Sequence, residues 1–600
     1  MNKQPIRSAV DDNSKWDLTP IYKNVKAFNK DLEKAKKEIK KVSEFKDLLT
    51  SSKRLLEYIE YDEQTERLLY KLYYYAHLNY DSETINTEYQ TMQKNIGDVL
   101  NEYSELSSYI RPLFMATDYS IIEKYMEEEP KLKEYKFSFE NMYRYQEHTL
   151  DENSEKMLSM LSNTLSNPSE TYESLTDSDM VYGDITLNDG SKVEMTDSNY
   201  STFIESTDRN IRKQAFDMLY DTYASFKNTI TSTYTGDMDA NITIAKLRGF
   251  NSAREASLFG DNVDTSIYDN LIDTVSKNMN VIYKYFDLKK EVLKLDELHL
   301  YDIYAKLIDT KELNNYSFAE AKKLVIEALS VLGEDYINSL NKAFDEKWID
   351  IYNNKGKRSG AYSSGFYDTK PYVLLNYEGN LNDVSTLAHE LGHSMHTYYS
   401  CKNQPYQYSS YNIFVAEVAS TVNELLLAKY LLKKFDNKEA KLYILNRLLE
   451  LFKGTIFRQT MFAEFERDMY KLREDKKALT NEVLCNHYLE LNKKYFGPNV
   501  VVDDKIKYEW MRIPHFYYGF YVYKYATGLS SACYIVDGIL NNREGALENY
   551  LKFLTLGGSK YPVDELKVAG VDINDPKVIE SAISMFNDTI DEFKNLLEDK

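Results

Sequence analysis

Apolar residues recur at helical spacing along most of the chain. Three long stretches, residues 28–115, 118–180 and 208–345, place apolar side chains three and four positions apart among many Lys and Glu residues. This spacing is typical of helices that bury one face and expose the other. The same pattern returns after Asn382 and continues almost to the last residue. The chain is therefore predicted to be mainly α-helical.

Two segments depart from the helical pattern. Residues 181–196 alternate apolar and polar side chains around an Asn-Asp-Gly sequence, which is typical of a short β-hairpin. Residues 348–377 are rich in β-branched and aromatic residues and are interrupted by Gly356, Gly360, Gly365 and Pro371. Such a composition favours short strands. We therefore predict a hairpin and one small sheet just ahead of residue 385.

The composition supports long helices around a sizeable core. Only 21 of the 600 residues are Gly and 11 are Pro, so few positions interrupt an element. Hydrophobic residues make up 43% of the chain and charged residues 28%, which is globular composition and excludes collagen-like and disordered chains. Tyr is abundant, with 53 residues. One Tyr-rich stretch spans Leu69–Tyr80.

The charge and the cysteines restrict the partners and the compartment. With 74 Lys and Arg against 95 Asp and Glu, the net charge is -21, so a general nucleic-acid-binding surface is not expected, although a local basic groove stays open. No apolar run approaches the roughly 18 residues of a membrane span. The amino terminus lacks the apolar region of a signal peptide. Three widely spaced cysteines favour a reducing compartment. We predict a cytoplasmic protein without a membrane partner.

The segment His389-Glu390-Leu391-Gly392-His393 has the HExxH pattern. On a helix, residues four apart lie on one face, so the two imidazoles can converge on a single Zn²⁺. Glu390 lies to the side, where its carboxylate reaches a water on the metal without being a ligand. The sequence thus predicts one catalytic zinc ion on this helix.

The surrounding residues support a buried helix with a metal-binding face. One face collects five apolar or aromatic side chains, Val384, Leu387, Leu391, Met395 and Tyr398. The opposite face is predicted to hold His389, His393 and His396. The alternative is an exposed helix with incidental histidines. We favour the metal site because three of the 8 histidines of the chain fall within eight residues.

A catalytic zinc site needs a third protein ligand, and two candidates exist. His396 shares the face, but about 10 Å of helix axis separates it from His389. Glu417, on a later helical segment, is the favoured ligand because a carboxylate on a second helix can close the site from across. Glu424, seven residues on, is a candidate acceptor for the second N–H of a ligand imidazole. An ordinary, partly buried carboxylate remains the alternative for Glu417.

These motifs resemble the thimet-oligopeptidase family of zinc peptidases, and most closely its oligoendopeptidase F members. The resemblance rests on HExxH with Glu417 in FVAEVAS, and on KWDLTPIY (15–22), GKRSGAYS (356–363), PYVLLNY (371–377) and IPHFYYGFYVYKYATG (513–528). It implies a helical ellipsoid that encloses a deep channel, with one zinc at its floor. It also implies that the third ligand is Glu417 and that internal bonds of short peptides are cleaved.

Residues 513–528 carry candidate donors for the oxyanion of the reaction. If the segment is helical, His515, Tyr518 and Tyr525 share a face and Tyr521 lies beside them. The resemblance implies that a histidine and a tyrosine here contact the substrate, and His515 matches the histidine. Several tyrosines of 517–525 fit the second position. Helix geometry favours Tyr518, while plain packing is the alternative for the other rings.

The predicted sheet offers a place for the substrate backbone. An exposed edge strand can pair with an extended peptide through main-chain hydrogen bonds. Gly360-Ala361-Tyr362 is the candidate because small residues allow a close approach, and a plain strand is the alternative. Tyr521 and Tyr525 are further candidates for substrate contact.

The sequence therefore predicts a zinc-dependent endopeptidase, with His389, His393 and Glu417 as ligands and Glu390 as general base. Two alternatives remain, a non-catalytic helical peptide-binding protein with a structural zinc and a gluzincin exopeptidase. We predict helical regions over 1–115 and 116–200, the second ending in the hairpin, and a catalytic region over 201–600. The expected partners are short peptides.

Overall fold

Helices dominate the protein, as predicted. The computed structural model describes residues 4–308 and 315–598, and most of these residues are helical. Residues 309–314, within the stretch predicted to be helical, lie outside the described residues. The sheets of the described residues have only two or three short strands. The mainly α fold with a small sheet is thus confirmed, while the channel stays a prediction.

The chain forms two compact units, each assembled from three segments. The first unit comprises Met1–Glu152, Leu313–Tyr430 and Gly538–Gly570. The second comprises Asn153–Glu312, Leu431–Asp537 and Val571–Lys600. The predicted division at residues 115 and 200 stays a prediction.

The α-helices before the small sheet are, in chain order, α1 (Val25–Glu38), α2 (Ser52–Ser82), α3 (Thr87–Ser107), α4 (Ile110–Met115), α5 (Tyr119–Glu128), α6 (Lys136–Tyr143), α7 (Glu152–Ser174), α8 (Asp197–Ile204), α9 (Arg209–Ser225), α10 (Lys227–Leu247), α11 (Ala253–Phe259), α12 (Thr265–Lys277), α13 (Met279–Val292), α14 (Phe318–Leu329) and α15 (Glu334–Asp345).

The α-helices after it are α16 (Leu381–Asn403), α17 (Ile413–Lys434), α18 (Lys438–Phe452), α19 (Arg458–Glu474), α20 (Asn481–Phe496), α21 (Tyr523–Leu540), α22 (Ala546–Phe553), α23 (Pro562–Val568) and α24 (Pro576–Glu598). Short 3₁₀ helices include Asp504–Arg512 and Pro514–Tyr518. None of the helices in the described ranges is long and apolar enough to cross a membrane.

The strands are β1 (Gly183–Thr186), β2 (Lys192–Met195), β3 (Leu298–His299), β4 (Ile349–Asp350), β5 (Tyr362–Ser364), β6 (Tyr372–Leu374) and β7 (Val500–Val501). β1 and β2 form the predicted antiparallel hairpin, with Gly183 opposite Met195 and Thr186 opposite Lys192. Its turn needs a left-handed residue, which Gly190 provides at φ 84°.

The predicted small sheet is present in the first unit. Its strand order is β4-β6-β5, with β4 parallel and β5 antiparallel to β6. β5 is therefore an edge strand, as predicted, but it begins at Tyr362, so Gly360 and Ala361 precede it. Gly365 follows β5, where a Cβ would lie 2.9 Å from the Cα of Pro371. Only glycine allows the chain to turn back so tightly at that point.

A second strand pair was not predicted. β3 and β7, two residues each, pair in parallel in the second unit. Both lie in stretches that were predicted to be helical. A two-residue strand has too short a pattern of apolar and polar residues to be recognised from the sequence. The prediction of uninterrupted helical structure at these two points was wrong.

The core of the amino-terminal segment surrounds α2. Ser51 caps this helix by accepting a hydrogen bond from the backbone N–H of Arg54. Leu72 of α2 is fully buried in a core that also contains Phe28 of α1 and Leu374 of β6. The sheet is therefore packed against α2 on one side.

The edge strand β4 carries a buried ion cluster. Asp350 is fully buried and pairs with the guanidinium of Arg7 and, at 2.7 Å, with the ammonium of Lys357. Burial favours protonated Asp350, but these two cations outweigh it and hold the pKa of the carboxyl below its ordinary 3.8. Its stabilising contribution is therefore present above that ordinary value and is lost as the pH falls through the lowered folded-state pKa.

We expect Asp350→Ala to destabilise the first unit by about 3–5 kcal/mol, because Lys357 would be left buried without its counter-charge. Thermal unfolding of the variant measures this. Asp345→Ala is the matched control, since its side chain is 72% exposed and lies 3.9 Å from Lys322, and it should change stability little. Equal melting temperatures for Asp350→Ala and the unmodified protein would contradict the expectation.

Candidate metal centre and active site

The helix α16 starts at a strongly defined cap. Asn380 and Asp383 form a capping box, in which each side chain accepts a hydrogen bond from the other residue's backbone N–H. The carboxylate of Asp383 also accepts from the backbone N–H groups of Glu378 and Gly379, both at 2.8 Å. This network fixes where the helix begins and hence which residues face the core.

The predicted faces of α16 are largely as expected. Val384, Leu387, Leu391 and Met395 are fully buried, whereas the side chains of His389 and His393 remain 26% and 18% exposed. Apolar side chains thus hold the helix in place while two imidazoles lie open on the other side.

His396 does not belong with these two imidazoles. It is 1% exposed, and its ring stacks on Tyr411 with the ring centres 3.7 Å apart. Burial lowers the pKa of His396 to about 3, so it is a neutral core residue. The expectation that three histidines share one open face was wrong, because residues far along the chain cover the third.

Glu417 of α17 meets the open imidazoles. One oxygen of its carboxylate lies 3.4 Å from the Nε2 atoms of both His389 and His393. Donor atoms of the three residues all lie within 4.8 Å of one another. Glu417 is on the next helix, so only tertiary packing brings it here.

The approach of α17 depends on a glycine inside the HExxH motif. A Cβ at Gly392 would lie 2.5 Å from the Cα of Ser420 and 2.6 Å from the carbonyl oxygen of Ala419, distances that no real side chain tolerates. The buried amide of Asn423 in α17 also donates to the carbonyl of Ala388 in α16 at 3.1 Å. The two helices therefore pack backbone to backbone. Sequence reasoning missed both residues, although a glycine within a helical pattern is a signal of close packing.

The charges around the imidazoles suit a divalent cation. Burial opposes protonation of His389, yet the carboxylates of Glu417 and Glu424 raise its pKa to about 10. Burial likewise opposes ionisation of Glu417, but His389 and His393 lower its pKa far below its ordinary value. Two imidazoles and a carboxylate in a field that favours positive charge match the donor set of a catalytic zinc site, so the residues present fit a Zn²⁺ ion.

Two further carboxylates, Glu424 and Glu390, lie near this donor set. Glu424 lies 3.6 Å from the Nδ1 of His389, on the side of the ring away from Glu417. Glu390 is 6% exposed. Burial raises its pKa, with the neighbouring histidines acting in the opposite direction. A carboxylate of raised basicity suits a general base.

The edge strand β5 lies directly against α16. The hydroxyl of Ser363 is 2.8 Å from the hydroxyl of Ser394, one residue after His393. Gly360 has a left-handed φ of 83°, and its carbonyl accepts a hydrogen bond from the side-chain amide of Asn376 at 2.8 Å. Gly360 and Ala361 therefore lead into the strand rather than forming it.

The predicted helix over 513–528 in the second unit is interrupted. A 3₁₀ helix ends at Tyr518, and Gly519 and Phe520 then adopt positive φ angles of 53° and 54°. Two left-handed residues end a right-handed helix, so the expectation of one continuous helical face was wrong. α21 starts only at Tyr523.

The turn nevertheless brings the predicted rings together. The ring centre of His515 lies 5.7 Å from Tyr518, 6.2 Å from Tyr521 and 5.8 Å from Tyr525, and its Nε2 is 3.2 Å from the hydroxyl of Tyr525. Burial lowers the pKa of His515. Tyr518 is 57% exposed.

Other rings of this segment serve packing. The hydroxyl of Tyr517 is 2.8 Å from that of Thr233, and its ring stacks on Tyr172. The fully buried Glu466 accepts a hydrogen bond at 2.8 Å from the backbone N–H of Phe520. Sequence reasoning missed Glu466, because nothing in the pattern of α19 marks it as a partner of the turn.

We expect Gly392→Ala to abolish stoichiometric metal binding, since the added Cβ must push α17 and Glu417 away from the imidazoles. Metal content by atomic emission after zinc loading measures this. Gly97→Ala in α3 is the matched helical control, because nothing lies within 4 Å of its added Cβ. It should bind metal normally. One zinc per chain in Gly392→Ala would refute this account of the site.

Comparisons with known proteins place the chain in a family. The family description Peptidase family M3 matches residues 202–585, and Oligopeptidase F matches residues 114–182. The chain is 40% identical to oligopeptidase PepF of Bacillus subtilis, over 99% of this chain and 89% of that protein. It is 37% identical to group B oligopeptidase PepB of Streptococcus agalactiae, over 98% of each.

A solved structure agrees with this relationship. Oligoendopeptidase-F from Enterococcus faecium is 34% identical, covers 96% of this chain with 99% of its own, and superposes with a TM-score of 0.74. The resemblance found in the motifs is thus confirmed over nearly the whole length. The chain belongs to peptidase family M3 and is a metalloendopeptidase.

Proposed function

We propose that this protein is a zinc-dependent endopeptidase that hydrolyses internal bonds of short oligopeptides. The observation that carries the proposal is the convergence of His389, His393 and Glu417 within 4.8 Å, with Glu390 beside them on the same helix. The names of the relatives, oligopeptidases and oligoendopeptidases, support the substrate class. We place the enzyme in the cytoplasm on the ground of its cysteine usage, since no disulfide joins its three cysteines.

In this proposal the three donors hold one zinc ion per chain. Bound Zn²⁺ supplies Lewis-acid polarisation of the scissile carbonyl and lowers the pKa of water. Glu424, 3.6 Å from Nδ1 of His389, would hold that imidazole in orientation and leave Nε2 as the atom available to the ion. His396 has no part, because its ring is enclosed in the core.

Glu390 acts as the general base. It removes a proton from the attacking water and returns the proton to the leaving amine as the peptide bond breaks. Its burial supports this role, because a carboxylate with a raised pKa is a stronger base toward the attacking water. A structural zinc site would have no use for such a carboxylate.

The free edge of β5 binds the backbone of an extended substrate. Among the described residues, β6 is the strand that pairs with β5, so the other edge presents backbone groups for a peptide. The contact of Ser363 with Ser394 supports this role because it fixes the strand against the helix of the metal ligands. Gly360 and Ala361 leave the approach to the edge unobstructed by large side chains.

His515 and Tyr518 donate hydrogen bonds to the substrate carbonyl as negative charge develops on its oxygen. The resemblance of 513–528 to the family supports His515. The exposed ring of Tyr518 supports a hydroxyl that is available to a ligand, whereas the hydroxyl of Tyr525 already meets His515. In this proposal Tyr521 and Tyr525 contact the substrate next to His515 and Tyr518.

We expect blocked, internally quenched peptides to be cut at internal bonds, and a zinc chelator to stop the reaction. Glu390→Gln should keep one zinc per chain but reduce kcat by about 10³-fold, measured by fluorescence and by metal analysis. Glu334→Gln, an exposed carboxylate of α15, is the control and should retain full activity. Cleavage only of peptides with free ends would indicate an exopeptidase, and no chelator-sensitive cleavage would indicate a structural zinc.

We expect Tyr518→Phe to lower kcat by roughly 10²-fold with a small change in KM, because a donor to the developing oxyanion acts mainly in the transition state. Tyr517→Phe is the matched control, since that hydroxyl bonds to Thr233, and its kcat should stay close to that of the unmodified enzyme. If Tyr521→Phe or Tyr525→Phe shows the large loss instead, the donor role moves to that tyrosine.

A further inference from the structure

The Tyr-rich stretch of α2 forms an aromatic surface in the first unit. Tyr70, Tyr73, Tyr74 and His77 lie three, four and seven positions apart, which places them on one face of the helix. Tyr73 stacks on His77 with ring centres 5.3 Å apart and meets Tyr74 edge-on at 5.6 Å. We call these four residues and Phe366 the aromatic ladder. Tyr70 is 42% exposed, and the other rings are half-buried.

The ladder runs alongside the edge strand β5. At one end the ring of His77 lies 6.1 Å from that of Tyr362, the first residue of the strand. At the other end Phe366, two residues past the strand, stacks on Tyr74 at 5.0 Å and meets Tyr70 at 6.1 Å. The ladder therefore accompanies the whole length of the strand.

The side chains of β5 alternate between two helices. Tyr362 donates its hydroxyl to Asp81 of α2 at 2.8 Å, and Ser364 contacts the hydroxyl of Tyr74. Ser363, between them, contacts Ser394 of α16. One face of the strand is thus turned to the ladder and the other to the helix of the metal ligands.

A peptide that pairs with the free edge of β5 must continue this alternation, because successive side chains of a strand point to opposite faces. Every second side chain then lies on the ladder's side of the sheet. Such side chains are about 7 Å apart, and one helical turn of α2 rises about 5.4 Å. Two alternate side chains of the peptide can therefore each meet a ring from a different turn of α2.

Two ion pairs lie beside the ladder, and the nearby carboxylate of Glu66 accepts a hydrogen bond from the hydroxyl of Tyr406. Arg67 pairs with Asp368 at 2.6 Å, and Asp81 pairs with Arg358 at 3.1 Å. A charged peptide side chain would exchange its water for groups that are paired with each other, while an aromatic ring gains ring contacts and loses little hydration.

We propose that the aromatic ladder is a specificity subsite that binds aromatic side chains at two alternate positions, i and i+2, of an extended peptide on β5. This inference rests on the proposed function, since it takes the edge of β5 as the place of the substrate backbone. It also gives a role to part of the tyrosine excess of the sequence.

The test is a scan with peptides of ten residues, blocked at both ends, in which one Phe or one Arg replaces each Ala of an Ala-Ser background in turn. Competition binding to Glu390→Gln measures affinity without turnover, and mass spectrometry of the products of the unmodified enzyme gives the register. Phe should improve binding about fivefold at two positions separated by one residue. Arg should not.

Tyr70→Ala is the main variant, because its ring is substantially exposed and the protein should fold without it. The ratio of the affinities for the Phe and the Ala peptide should fall to near one at one of the two positions, and Tyr70→Phe should restore this ratio. Tyr352→Ala is the matched control. Tyr352 is 40% exposed and has a comparable ring neighbour, Tyr377, at 6.3 Å, but lies outside the ladder. It should keep the full preference.

Three results would overturn the proposal: equal binding of Phe and Ala peptides, a preference for Arg, or a Phe preference that survives in both Tyr70→Ala and Tyr73→Ala. These outcomes differ from a failure of the proposed function. If the unmodified enzyme cuts no peptide but Phe still improves binding at two alternate positions, the ladder subsite is supported and the proposed endopeptidase activity is contradicted. If peptides are cut but Phe improves binding at no position, the proposed endopeptidase activity is supported and the ladder subsite is contradicted.

Discussion

The candidate metal centre depends on the close contact between α16 and α17 at Gly392. Two helices that approach within backbone contact leave no room for a Cβ, and the 2.5 Å distance to the Cα of Ser420 shows that none is tolerated. The buried hydrogen bond from Asn423 to Ala388 locks the same contact. Without this approach, Glu417 would lie too far from His389 and His393 to complete a set of three donors.

The same helix α16 joins the metal centre to the small sheet. Its apolar face is buried, its capping box fixes its start, and Ser394 ties it to β5 through Ser363. β5 in turn separates α16 from the aromatic ladder of α2. One three-residue strand therefore lies between two different side-chain environments, and it is the strand that we propose to pair with a peptide. In the two proposals, the specificity subsite and the metal ligands lie on opposite faces of that strand.

The second unit uses a buried carboxylate for a comparable purpose. Glu466 accepts the backbone N–H of Phe520, and Ser257 donates to the carbonyl of Gly519 at 2.8 Å. These contacts hold two consecutive left-handed residues in place. The turn returns the chain so that Tyr521 and Tyr525 lie near His515, although no single helix carries them.

The sequence by itself determined the helical character, the hairpin around Asn-Asp-Gly, the small sheet and the positions of His389, Glu390 and His393. These features depend on the spacing of residues that are close together along the chain, and that spacing can be determined from the sequence. The choice of Glu417 needed the family resemblance as well, since its helix is separate. Only tertiary structure decided the features that depend on distant partners. His396 is enclosed by Tyr411 and Phe553. The helix over 513–528 is interrupted at Phe520, whose backbone N–H donates a hydrogen bond to Glu466. β3 and β7 form strands because they pair with each other. In each case the deciding contact joins residues far apart along the chain, so no periodicity within either segment could reveal it.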